Sequence, residues 1–148
     1  MEIVTSNEQV RLATLKIVSL LKFKGSFNKE KQLHIQFRKR MPEGNLGMYL
    51  IPIKGPINDG LSNGIHVIYL SYGLSKPLLE RTLIHELTHL KQVLTGKLVW
   101  SQQTKNGPIY AFWKNEKLGR DIHLDPLYED LPWEIEANVM EERLKDRV

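Results

Sequence analysis

Cysteine is absent from the 148-residue chain. No disulfide framework, thiolate metal site or cysteine nucleophile can be built, so any metal has to be held by His, Asp or Glu. A chain without cysteine also suits a reducing compartment. Long apolar runs are missing too: the stretch from Leu12 to Leu21 is interrupted by Lys16 and is too short to span a bilayer. A strong charge of one sign is lacking as well. The chain carries 21 Lys+Arg against 17 Asp+Glu, a formal net charge of +4 with histidine neutral. This mild excess falls short of the dense positive face of a dedicated nucleic-acid binder. The opening residues MEIVTSNEQV lack the charged and then apolar regions of a secretory signal. The expectation is a cytoplasmic protein with no membrane partner. What is present, 41% hydrophobic and 26% charged residues with 10 Gly and 7 Pro, is ordinary for a globular domain with a single core.

Hydrophobic periodicity outlines the elements. From Glu8 to Phe23, Leu12, Leu15, Val18 (or Ser19) and Leu21 recur at steps of three and four, which predicts an amphipathic helix capped by Ser6 or Asn7 and stopped near Gly25. Gln32 to Arg40 alternates, with Leu33, Ile35 and Phe37 on one side, as a half-buried strand does. Leu46 to Ile53 and Ile65 to Tyr69 read as further strands, separated by the turn-rich Gly55-Pro56, Asn58-Asp59-Gly60 and Asn63-Gly64. Ser75 and Pro77 open a helix that runs to about Thr95 and ends at Gly96. Leu98 to Gln102 and Ile109 to Lys114 flank Lys105-Asn106-Gly107-Pro108 as a hairpin. Pro132 opens a last helix to about Lys145, with Trp133, Ala137, Met140 and Leu144 as its apolar stripe. No repeat or linker divides the chain. The expected fold is α+β, a single domain: an N-terminal helix, a small, mostly antiparallel sheet, a central helix, a hairpin and a C-terminal helix.

The central helix carries His85-Glu86-Leu87-Thr88-His89. Helical positions four apart lie nearly one above the other, so both imidazoles leave one face at the spacing that shares a Zn²⁺ ion. Zinc lowers the pKa of bound water to about 7. A carboxylate beside it, Glu86, can take that proton and later deliver it to a leaving amine. Leu83, Ile84, Leu87, Leu90, Val93 and Leu94 surround the motif, so the helix is expected to be buried nearly all round. Two imidazoles and a carboxylate buried without a partner would cost several kcal/mol, and a metal supplies that partner.

A catalytic zinc site needs a third protein ligand and an open fourth position. Gln92 stands three residues past His89, and no histidine follows Gly96, so the arrangement HExxHxxGxxH is excluded. The best candidate is Glu134 in Pro132-Trp133-Glu134-Ile135-Glu136-Ala137-Asn138, with Asn138 one turn on and able to orient a ligand from behind. Glu136 is the competing ligand. His123, Asp121 and Asp125 are outside candidates that also read as a solvated acidic loop.

HExxH on one helix and ExxAN on a later one resembles the gluzincin-type zinc metallopeptidases. More closely, HVIYLSYG…LLERTLIHELTHLKQ with PWEIEAN is similar to small zincin-like proteins of phages and bacteria, relatives of the ImmA/IrrE-like peptidases and minimal gluzincins. The resemblance covers roughly residues 65 to 145. It implies a zincin-like domain, His85, His89 and Glu134 as zinc ligands, Glu86 as base and acid, and Asn138 where many members have Asp. A protein or peptide substrate would lie along a sheet edge, either Leu46–Ile53 or Ile65–Tyr69. Tyr128 is a candidate to stabilise the oxyanion, with Tyr110 and His123 as others. Each also reads as a structural residue, and Trp133 reads as core beside the ligand. His34 and His66 lie in strands and read as hydrogen-bonded or exposed. The basic run Arg38-Lys39-Arg40 reads as a solvated surface, with nucleic acid a weak alternative partner. The competing function is a zincin-fold binding or regulatory module that holds zinc without proteolysis and acts on a protein or DNA partner.

Overall fold

The computed structural model describes residues 1–55, 64–118 and 131–148. Its elements in chain order are β1 (Glu2–Val4), α1 (Glu8–Leu21), β2 (Gln32–Arg38), β3 (Gly47–Tyr49), β4 (Ile53–Lys54), β5 (Ile65–Ser71), α2 (Lys76–Leu94), β6 (Leu98–Gln102), β7 (Ile109–Trp113), β8 (Glu116–Lys117) and α3 (Pro132–Leu144), with short 3₁₀ turns at Phe27–Lys29 and Pro42–Gly44. This is the expected α+β layout of three helices with sheets. There are two mixed sheets, the first mostly parallel and the second mostly antiparallel.

In the first sheet, of order β1-β2-β5-β3, β1 pairs parallel with β2 and β2 parallel with β5, and β3 alone runs antiparallel. Parallel neighbours require a crossover, and α1 supplies it between β1 and β2. β1, three residues long, is too short to announce itself by alternation. In the second sheet, β4-β6-β7-β8, the hairpin β6–β7 pairs Leu98 with Trp113 through Gln102 with Ile109, as expected.

The predicted strand Leu46–Ile53 divides. Residues 47–49 pair with β5, whereas Ile53 and Lys54 pair parallel with β6 in the other sheet. Pro52 stands at the break, where the chain lacks the N–H that a continuous ladder would need.

Helix α1 buries a different face from the one its leucines suggest. Val10, Thr14, Ile17 and Leu21 are buried, and Leu12 and Leu15 are 59% and 49% exposed. Thr14 turns inward at little cost because its hydroxyl donates to Val10 O at 2.7 Å. Asn7 caps the helix by accepting the Val10 N–H at 3.0 Å. At the other end the left-handed residue is Lys22 (φ 54°), not Gly25.

Helix α2 is the core of the molecule. Leu83, Ile84, Leu87 and Leu90 are fully buried, and α1, β3, β5, β6 and α3 all pack on it. Gly96, with φ +75°, follows its C-cap. Helix α3 buries Trp133, Ala137 and Leu144, with Met140 packed at the rim, as its stripe predicts. Among the described residues no helix is long and apolar enough to cross a membrane.

The inverted face of α1 makes a direct test. Ile17→Ala will lower stability by about 2–5 kcal/mol, whereas Leu12→Ala will change it by no more than about 0.5 kcal/mol, both measured by urea denaturation.

Candidate metal centre

His85 and His89 stack one turn apart on α2, their ring centroids 4.9 Å apart and their planes at 80°. Helix α3 lies along α2 and opens with Pro132, so Glu134 falls in its first turn, directly over the two imidazoles. The carboxylate bridges them: Oε2 is 3.0 Å from His85 Nε2, and Oε1 is 2.8 Å from His89 Nε2. One ligand atom from each of the three residues lies within 4.8 Å of the others, a group that could hold a metal ion. Glu86, His89 and Glu134 are buried and His85 is half-buried.

The outer nitrogens decide how the rings present themselves. His89 Nδ1 is 2.8 Å from Gln92 Oε1. The Gln92 amide nitrogen donates at 3.1 Å to both Trp133 O and Glu136 Oε1. Those two acceptors fix the amide, so Gln92 Oε1 must accept and His89 Nδ1 must donate. His89 Nε2 is then the nitrogen that faces Glu134, buried and 2.8 Å from its Oε1. An imidazole nitrogen, once it gives up its proton, and a carboxylate oxygen that converge in this way form a donor set that suits a cation. Behind His85, Glu141 Oε1 stands 3.8 Å from Nδ1 and is itself held by Arg81, 3.1 Å from Oε2.

The electrostatics favour positive charge at the same point. Burial opposes ionisation of Glu134, but its bonds to His85 and His89 outweigh that and hold its pKa far below the usual carboxylate range. Burial likewise disfavours a charge on His89, yet the Glu134 carboxylate prevails and raises its pKa. Glu86 behaves differently. Burial pushes its carboxyl upward, against the pull of His89, His85 and the Tyr49 N–H. That N–H, from β3, donates to Glu86 Oε2 at 2.8 Å. Strand β3 comes this close because of Gly47: a Cβ there would lie 2.5 Å from Thr82 Cγ2 and 3.2 Å from Glu86 Cγ.

The structure therefore brings His85, His89 and Glu134 together and sets Glu86 beside them. It chooses Glu134 over Glu136, whose carboxylate turns to Gln92 and to the Lys97 ammonium. Asn138 does not fill the expected role: it is exposed, and Gln92 and Glu141 are the groups behind the two rings. The Glu141 carboxylate, one turn beyond Asn138, comes within 3.8 Å of His85 Nδ1.

Tyr128, His123, Asp121 and Asp125 lie outside the described residues. Tyr110 belongs to β7, opposite Ser101, with the Lys117 ammonium 4.2 Å from its ring centroid. Trp133 is core, as expected. His34 hydrogen-bonds Gln32, and His66 is buried.

Of the two candidate edges, β3 closes one side of the first sheet and β5 is flanked by β2 and β3. The sequence reading passed over Gln92, Arg81 and Glu141. A buried glutamine between Leu90 and Val93, three positions from a ligand, is the signal that marks the first of them.

No family model, curated protein or solved structure matches this chain. What marks the site is the donor set, a group that could hold a metal ion.

Gln92→Leu will weaken zinc binding about 10- to 100-fold, read by competition with a chromophoric chelator. Glu134→Ala will abolish stoichiometric binding, whereas Glu136→Ala and Asn138→Ala will retain it.

Proposed function

We propose that this chain is a zinc-dependent peptide hydrolase of gluzincin type. The observation that carries the reading is the convergence of His85, His89 and Glu134 on one point with Glu86, a buried carboxylate, at its side. His85 and His89 offer neutral imidazole nitrogen and Glu134 offers a carboxylate oxygen, a ligand set that zinc accepts while keeping a position open. Bound there, zinc supplies a Lewis acid for the peptide carbonyl and a water acidified to a pKa of about 7.

The protein's own groups do the rest. Glu86 has Oε2 fixed by the Tyr49 N–H, which leaves Oε1 to take a proton from the attacking water. Its carboxyl, raised by burial, holds that proton until the amine leaves and then delivers it. Strand β3, the edge of the first sheet among the described residues, would offer an extended peptide the main-chain groups that β5 and Glu86 leave unused, so that the peptide adds as a further strand. Gln92 holds the His89 imidazole at its outer nitrogen, and the Glu141 carboxylate lies 3.8 Å behind that of His85, so the ligands stay aimed as the substrate enters.

The test compares the native protein with Glu86→Gln, each reconstituted with zinc, on denatured casein and on a mixture of quenched-fluorescent peptides. Zinc content, measured by elemental analysis, is expected to stay at one equivalent in both, and cleavage is expected to fall at least about 100-fold in the variant. One bound zinc with equal cleavage by both proteins, or with none by either, overturns the hydrolase in favour of a zinc-holding binding module.

A further inference from the structure

Three polar side chains behind strand β3 are buried or nearly so and take no part in the scheme above. Tyr49 is 5% exposed, and its hydroxyl lies 2.8 Å from His66 Nδ1. His66, on β5, is 2% exposed, and its Nε2 lies 3.5 Å from Glu30 Oε2, an electrostatic contact without hydrogen-bond geometry. Glu30 precedes β2 and fits over Gly64, where a Cβ would come within 3.1 Å of its Oε2. The turn that carries Gly64 is bonded to the same segment, with the Lys31 N–H donating to Gly64 O at 2.8 Å.

The chain of contacts has a direction. Burial, reinforced by the charge of Glu30, pushes the Tyr49 phenol far above its usual range, so it remains a donor. His66 Nδ1 must then accept. Burial also lowers the His66 pKa against the opposing pull of Glu30, so the ring is neutral and its remaining proton sits on Nε2, facing Glu30. Tyr49 is thus held by its side chain from β5, while its own main-chain N–H holds Glu86.

Strand β3 needs such a hold. It has only three strand residues, paired on one side to β5, and the neighbouring bonds Leu50 N–H to Val67 O and Ser71 N–H to Leu46 O complete its attachment. Short edge strands open locally at little cost.

We infer that Tyr49, His66 and Glu30 form an anchor that pins β3 so that the Tyr49 N–H fixes one oxygen of Glu86, making all three positioning residues for the base. The inference rests on the reading of Glu86 as the base. It adds that the alignment of Glu86 is set from within the buried face of the sheet, by residues on three separate segments.

The experiment uses the full chain loaded with zinc and follows amide hydrogen exchange residue by residue, together with casein-peptide cleavage. Tyr49→Phe keeps the ring and removes the hydroxyl. It is expected to speed exchange of the residue 49 amide about tenfold, with the Ile35 and Ile68 amides and the zinc content unchanged. It should lower kcat about tenfold with KM held. His66→Gln, which can accept from Tyr49 and donate toward Glu30, is expected to stay near native in both measurements, whereas His66→Leu should repeat the Tyr49→Phe result.

Unchanged exchange at residue 49 in Tyr49→Phe overturns the anchor. An equal rise at Ile35 and Ile68 also overturns it, because the hydroxyl would then be supporting the whole sheet. Should the native protein cleave nothing, the hydrolase reading fails on its own, and the exchange at residue 49 still decides the anchor.

Discussion

The contact between α2 and α3 is the constraint from which the site follows. Two imidazoles at i and i+4 are a local property of one helix, and any helix with that spacing presents them. A third donor at the same point is a tertiary property. It requires α3 to lie along α2 with its first turn over His85 and His89, and the buried Trp133 and Ala137 hold it there. The apolar stripe of α3 thereby places Glu134. A carboxylate delivered into this setting would be costly alone; its two imidazole neighbours compensate it, and a divalent cation would compensate all three together.

The polar groups around the cluster are arranged in the same spirit. Each ligand histidine has a partner behind it, but the two partners differ in kind. Gln92 is neutral and is locked by Trp133 O and Glu136, whereas Glu141 is charged and is held by Arg81. A fixed amide sets the orientation of His89 without adding charge. A carboxylate behind His85 strengthens that ring as a donor. Glu136, which the chain's spacing offered as a rival ligand, serves instead as the anchor of the Gln92 amide.

Much of this was legible in the chain because the signals were local. The HExxH spacing, the apolar surround of α2, the β6–β7 hairpin with its Asn-Gly turn and the stripe of α3 are all patterns within a single element. What escaped depended on relations between elements. Leu12 and Leu15 advertise a face of α1 as strongly as Val10 and Ile17 do, and only the position of α2 decides between them. Whether β2 and β5 pair parallel depends on how the chain crosses between them, and alternation does not encode that. The change of sheet at Pro52 and the partners behind the imidazoles are of the same sort. Helical phase and the ExxAN resemblance both favour Asn138, yet it is exposed, and the carboxylate nearest the outer nitrogen of His85 is Glu141.

His85 and Glu134 are 49 residues apart in the chain. A long loop must therefore close before the three donors coexist, and its closure entropy falls on the α2–α3 contact. A metal ion held as proposed above would engage the histidine pair first and gain its carboxylate only when α3 docks. Its capture would then report that α3 has arrived, and its affinity would act as a latch on that helix rather than as a seed for the fold.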